Sequence, residues 1–243
     1  SSHGGRGTGK GPTYGSITAP TNCGSGSREA LERGGGAARI TVTGTTTVYG
    51  VISASDVGGN AYGSSGGSVF LTTGTLTGNG TIRANGRQGG GGGRIAVALT
   101  QMGAGWDGFV GVMNAFGGSA NAGAGTVYRR TADEGSGKGT VWINNSGAAG
   151  SGVCVLPPQL LSVSNELKRA RVVVTNTSRA LLGTNVWVKD IVIAANSFLT
   201  LSNCFLHVDS REHWLGDVSR RQTGDTNRVD HYEQILWEGL ESG

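Results

Sequence analysis

A seven-residue string recurs through the first part of this 243-residue chain. Gly50-Val-Ile-Ser-Ala-Ser-Asp56 is matched by Gly80-Thr-Ile-Arg-Ala-Asn-Gly86 and Gly111-Val-Met-Asn-Ala-Phe-Gly117, and more weakly by Gly139-Thr-Val-Trp-Ile-Asn-Asn145. The leading glycines are 30, 31 and 28 residues apart. Upstream partners repeat as well: ARITVTG at 38–44 resembles SVFLTTG at 68–74. Each unit reads as strand, short turn, strand and a loop rich in Gly, Asn and Ser. A unit this short cannot bury an apolar face alone, but stacked units can.

The alternation within the string selects the inward face. Its third and fifth residues are apolar: Ile52 and Ala54, Ile82 and Ala84, Met113 and Ala115, Val141 and Ile143. Strand side chains alternate with period two, so each pair shares a face and the pairs stack into an apolar column. The expected fold is all-β, a parallel β-helix or β-solenoid. Gly50, Gly80, Gly111 and Gly139 should take equivalent places in successive coils.

Glycine is 46 of 243 residues, a composition that without such a repeat suggests disorder. GGNAYGSSGG (58–67), GRQGGGGGR (86–94) and GGSANAGAG (117–125) fall at matching positions after the repeat strings. Three arrangements suit them: loops hydrogen-bonded coil to coil, extended polyglycine segments packed side by side, or mobile connections. Glycine permits close backbone approach and positive φ in the first two.

SHGGRG near the start, YGS at 14–16, GGGAARITVTG, GGSVFLTTGTLTGNGTIRANG and GGGGGRIAV resemble a glycine-rich repeat of very large secreted or surface proteins of environmental bacteria. The resemblance is good over residues 1–100, weak over 100–150 and poor beyond. It implies a parallel β-helix and an extracellular setting, and it carries no catalytic residues.

The texture changes near residue 153. Residues 1–152 form the glycine-rich repeats, 153–224 a Gly-poor segment and 225–243 a C-terminal cap. ARVVVTN (170–176), TNVWVKDIVIA (184–194), SFLTLS (197–202) and NCFLHVD (203–209) read as strands. They either continue the solenoid as triangular coils, the preferred reading, or form a small β-domain of their own. In 225–240, Val229, Tyr232, Ile235, Leu236 and Leu240 fall near helical spacing, and a strand over YEQILW is nearly as good a reading.

Chemistry is sparse. No Asp or Glu lies between Asp56 and Asp107, so the clearest repeats lack acids for a lyase, a glycosidase or calcium. The one polar cluster is His207-Val-Asp209-Ser-Arg211-Glu212-His213. Asp209, Glu212 and His213 are the candidate ligands for a divalent metal such as calcium, set against the plainer reading of exposed strand-end residues. No catalytic residue and no cofactor are expected. Cys154 and Cys204 are candidates for a disulfide, with Cys23 left free or paired between chains. Trp142 and Trp187 lie opposite the supposed core residues and suit either a glycan platform or a protein contact.

Residues 1–140 carry eleven basic and six acidic groups, and 141–243 nine and ten. The arginines are scattered without interleaved aromatics, which argues against nucleic acid. No run of 18 apolar residues could span a membrane. A start at Ser1 suggests a processed or excised piece. The expectation is a non-enzymatic, extracellular or cell-surface structural or adhesive protein. It self-assembles head to tail, Arg6 and Lys10 of one copy meeting Glu233 and Glu238 of the next. The alternative is a β-helix that binds or cleaves polysaccharide, and a third reading is a spacer in a giant surface protein.

Overall fold

The structure, a computed structural model, describes residues 1–27, 33–56, 63–147, 150–157 and 166–209. The described elements are all strands, and they form a β-solenoid in two sections. In the first section β1 (Ala37–Thr47), β3 (Ser68–Thr77), β5 (Arg94–Leu99) and β7 (Thr126–Arg130) stack in parallel as one face. The short strands β2 (Val51–Ser53), β4 (Thr81–Arg83) and β6 (Val112–Asn114) stack as a second face. Ile52, Ile82 and Met113 are in register, so the expected apolar column is present. Gly50, Gly80 and Gly111 are equivalent: the amides of Thr81 and Val112 bond to the carbonyls of Gly50 and Gly80.

The third face is made of the glycine segments. Each loop is closed at its neck by the repeat alanine. The amides of Gly67, Gly93 and Gly125 donate to the carbonyls of Ala54, Ala84 and Ala115 at 2.8, 2.7 and 2.7 Å. The glycine segments then bond coil to coil, through Gly35 to Ser65, Gly66 to Gly91 and Gly92 to Gly123. Two of the expected arrangements are thus combined: extended glycine-rich segments lie side by side and are hydrogen-bonded to one another. Packing this close leaves no room for side chains. A Cβ on Gly92 would lie 2.0 Å from the Ala115 oxygen and 2.4 Å from the Gly125 nitrogen, inside the neck hydrogen bond.

The fourth repeat departs from the expected place. Gly139 and Val141 do not continue the column of Met113. β8 (Thr140–Asn144) runs antiparallel to β7 in the long sheet, pairing Tyr128 with Val141. The cause is the intervening TADEGSGKG, where Gly135, Gly137 and Gly139 all take positive φ and turn the chain straight back.

From β8 onward the solenoid resumes in the opposite strand direction. β10 (Arg171–Thr175) and β13 (Asp190–Ile193) extend the long sheet, giving the order β1-β3-β5-β7-β8-β10-β13. β9 (Cys154–Leu156), β11 (Arg179–Leu182) and β14 (Phe198–Leu201) form a second face, and β12 (Val186–Val188) and β15 (Leu206–Val208) a third. The paired residues Arg171–Asp190, Arg179–Phe198 and Val186–Leu206 are 19, 19 and 20 residues apart, the triangular coils expected for this half.

Coils of one hand wound on a reversed strand fall on the opposite side of the sheet. Two cores result. Val69, Leu71, Ile82, Ile95, Val97 and Leu99 fill the first section, on one face of the long sheet. Ala96, Tyr128, Val141, Ile143, Val172 and Leu182 fill the second, on the other face. β5 is therefore buried on both faces, as its unbroken apolar run IAVAL suggests.

Candidate functional site

Among the described residues, the reversal at β8 leaves the last coil of the first section without a strand above β6. A cleft of about 160 Å³ opens there, walled by Phe109, Met113, Phe116 and Trp142. Asn114 and Arg129 supply its polar groups. Residues 127 and 129 of β7 share the face that Trp142 presents from β8, because Val127 pairs with Trp142. Trp106 reaches the same place from the loop between β5 and β6. The Arg129 guanidinium packs against both indoles, 4.1 Å from the Trp106 ring centroid and 4.9 Å from that of Trp142. Its side chain makes no hydrogen bond or ion pair among the described residues, and Nε is buried without a partner. Burial lowers its pKa and Glu134 opposes that through space, yet arginine remains charged. The Asn114 Oδ1 is also buried without a donor among the described residues.

A second polar cluster lies under residues 1–25, which strap the glycine layer. Arg94 is fully buried on the outer face of β5. Its Nε donates to the Tyr14 carbonyl at 2.9 Å and Nη1 to Thr126 Oγ1 at 3.0 Å. His3 is fully buried beside it, with Nδ1 2.8 Å from the Gly66 carbonyl. Its ring lies 4.6 Å from that of Tyr14. Because a carbonyl can only accept, Nδ1 carries the proton. Burial first, and then the Arg94 charge, push the His3 pKa down to about 3. The nearest acid, Glu166, is occupied by the Ser16 and Thr18 hydroxyls and the Thr18 amide.

A pH dependence follows. His3 has a folded pKa of about 3, below its ordinary 6.5, so the unfolded chain takes up the proton first as pH falls. Its contribution to stability is complete above the unfolded value and is lost as pH falls toward the folded one. Between pH 7 and 4 the loss is about 3 kcal/mol. Urea unfolding at both pH values should show His3→Asn losing about that much less than the wild type. Equal losses would show that His3 is not the group that titrates.

Other expected site residues fare differently. Asp209 is described, at the end of β15, but Glu212, His213, Glu233, Glu238 and the whole cap lie outside the described residues. No group of three metal-ligating side chains occurs among the described residues. The Cys154–Cys204 bridge is not formed: both are buried free thiols, and Cys23 is an exposed one. Cys154 pairs with Ala180, which pairs with Leu199, so Cys204 lies two rungs away. Two spacings of ~4.8 Å exceed the reach of a disulfide. Burial pushes the Cys154 thiol up to about 12. Lys10 is exposed, but Arg6 is threaded into the glycine layer. The Arg6 amide bonds to Val153 and its carbonyl accepts from Gly123. The backbone expected to dock on another copy is already bonded within its own chain. Trp187 is partly exposed and stacks on His207 across β12 and β15, at 4.6 Å and 6°.

The cleft was missed in the sequence because Arg129 and Trp106 belong to no repeat string, and only the reversal brings them together. No helix among the described residues is long and apolar enough to cross a membrane. Comparison with family models, curated proteins and solved structures finds no match to this chain.

Proposed function

We propose that this chain is a structural or adhesive β-solenoid of an extracellular assembly, joined to a second copy through the free edge of β1. The observation that carries this reading is the open first coil. β1 is eleven residues long and pairs on one side only among the described residues. It holds one charge, Arg39, and no proline, and its register with β3 shifts once, between Val42 and Thr45. Tyr49 and Val51 beside it are 77% and 59% exposed. Glycines of later coils press on neighbouring backbone, but a Cβ on Gly36, Gly44 or Gly50 would meet nothing.

A rung of the same repeat is the occupant that fits. β3 already reads β1 through hydroxyl pairs, Thr45 with Thr75 at 2.7 Å and Thr47 with Thr77 at 2.9 Å. The assembly is a filament if the second copy contributes its opposite end, and a dimer if it contributes its own β1.

Thr41→Pro tests the contact. The Ser68 amide donates to the Gly36 carbonyl, so even-numbered residues at the start of β1 bond to β3 and the Thr41 amide faces away. Proline there removes only an outward donor. Sedimentation velocity should show concentration-dependent association of the wild type and a monomeric variant with unchanged circular dichroism. A wild type that stays monomeric at high concentration would exclude self-assembly. An equally associated variant would exclude this edge.

A further inference from the structure

We propose that the cleft above β6 binds a uronic acid unit of an acidic polysaccharide, with Arg129 gripping its carboxylate. Three features of the cleft point to this class. The first is a guanidinium with no acidic partner in contact among the described residues, Glu134 acting on it only through space. It packs against the Trp106 and Trp142 rings, with Cζ 4.1 and 4.9 Å from their centroids, and it lines the cleft, so a ligand there would meet its N–H edge. That edge matches a carboxylate in a forked, two-bond geometry. The Arg129 side chain makes no hydrogen bond among the described residues, so an acceptor in the cleft gains from the start.

The second feature is Asn114. It lines the cleft, its Oδ1 has no donor among the described residues, and a sugar hydroxyl is a donor of the right size and polarity. The third is the wall. Phe109, Met113 and Phe116 give an apolar surface for the C–H face of a pyranose ring, and about 160 Å³ has room for one such unit.

Surroundings agree with a polymer of negative charge. Arg83 is in register with Asn114 one rung below, on the same sheet, where its Nε donates to Ser53 Oγ. The chain carries a net charge of +4 at pH 7. A plain aromatic platform for neutral sugar would need an open indole face, and here Arg129 lies over both indoles.

The test is titration of the full chain with a linear oligogalacturonate, the neutral oligoglucoside of equal length, and a sulfated glucan. Tryptophan fluorescence and calorimetry give the readouts. The oligogalacturonate should bind saturably and change the tryptophan signal, and the neutral sugar should do neither. Arg129→Gln should weaken binding at least ~10-fold, and Arg129→Lys, which keeps the charge but not the fork, nearly as much. Lys189→Gln removes an equal charge at an exposed site and should have no effect. If Arg129→Gln fails to fold, Arg129→Lys and Asn114→Ala give the same answer. Equal binding of the neutral sugar, or undiminished binding by the Arg129 and Asn114 variants, would overturn the proposal. So would an equal loss in Lys189→Gln, which would mean bulk charge attraction. Tighter binding of the sulfated glucan with the same Arg129 dependence would overturn the carboxylate assignment.

Discussion

Gly92→Ala is expected to cost about 3–5 kcal/mol, and Gly50→Ala less than 1 kcal/mol in either direction. Both replace one hydrogen by a methyl group in a glycine-rich repeat. At Gly92 the methyl would sit 2.0 Å from the Ala115 oxygen and 2.4 Å from the Gly125 nitrogen. Those atoms form the 2.7 Å hydrogen bond that closes the loop before β7. Both are backbone, and the Gly92 carbonyl is itself bound by the amides of Gly4 and Gly5, so no flexible group can give way. The methyl either breaks the neck bond or displaces the N-terminal strap. At Gly50 a methyl meets nothing within 4 Å. Its repeat partners are different again: Gly80 would strike the Gly50 oxygen at 2.3 Å and Gly111 the Gly80 oxygen at 2.1 Å. Thermal unfolding should place Gly92→Ala about 10 °C or more below wild type, with Gly80→Ala and Gly111→Ala lowered too and Gly50→Ala unchanged. A Gly92→Ala variant as stable as Gly50→Ala would mean that the glycine layer is not close-packed.

Removal of residues 1–8 should be as damaging, lowering the melting temperature by about 10–20 °C or preventing folding. The segment is an integral part of the glycine layer. The amides of Gly4 and Gly5 bond to Gly92, that of Gly91 to Ser1, that of Gly123 to Arg6 and that of Arg6 to Val153. Each such bond contributes about 1 kcal/mol net, and more where its loss strands a buried partner. His3 would also be lost from Arg94, a fully buried cation, and Gly4 from Cys154, whose thiol approaches its carbonyl at 3.8 Å. Reaction with a thiol reagent under native conditions gives a second readout. The intact chain should expose Cys23 alone, whereas the shortened chain should also expose Cys154. A shortened chain with native circular dichroism, melting temperature and a protected Cys154 would show the strap to be dispensable.

The repeat period and its alternation determined the solenoid. Ile52, Ile82 and Met113 stack because a strand's period of two puts every third and fifth residue of the string on one face, coil after coil. The strand runs of the later half likewise suited three-sided coils, although the observed coils of 19 and 20 residues are tighter than those runs suggest. Such regularities are local, and a string of residues carries them without reference to the rest of the chain.

What tertiary structure alone decided begins at TADEGSGKG. A turn string says that the chain bends but not whether the next strand crosses to another face or returns beside the last one. The return at β8 put Val141 in a different sheet from Met113, moved the second core to the opposite face, and left open the cleft lined by Arg129 and Trp142. The N-terminal strap was equally hidden. SSHGGRG has no apolar period, because its partners are backbone groups of Gly92, Gly123 and Val153, and backbone hydrogen bonding writes no side-chain pattern. Its only trace in the sequence is the glycine itself, which marks where another segment of chain must come close without saying which.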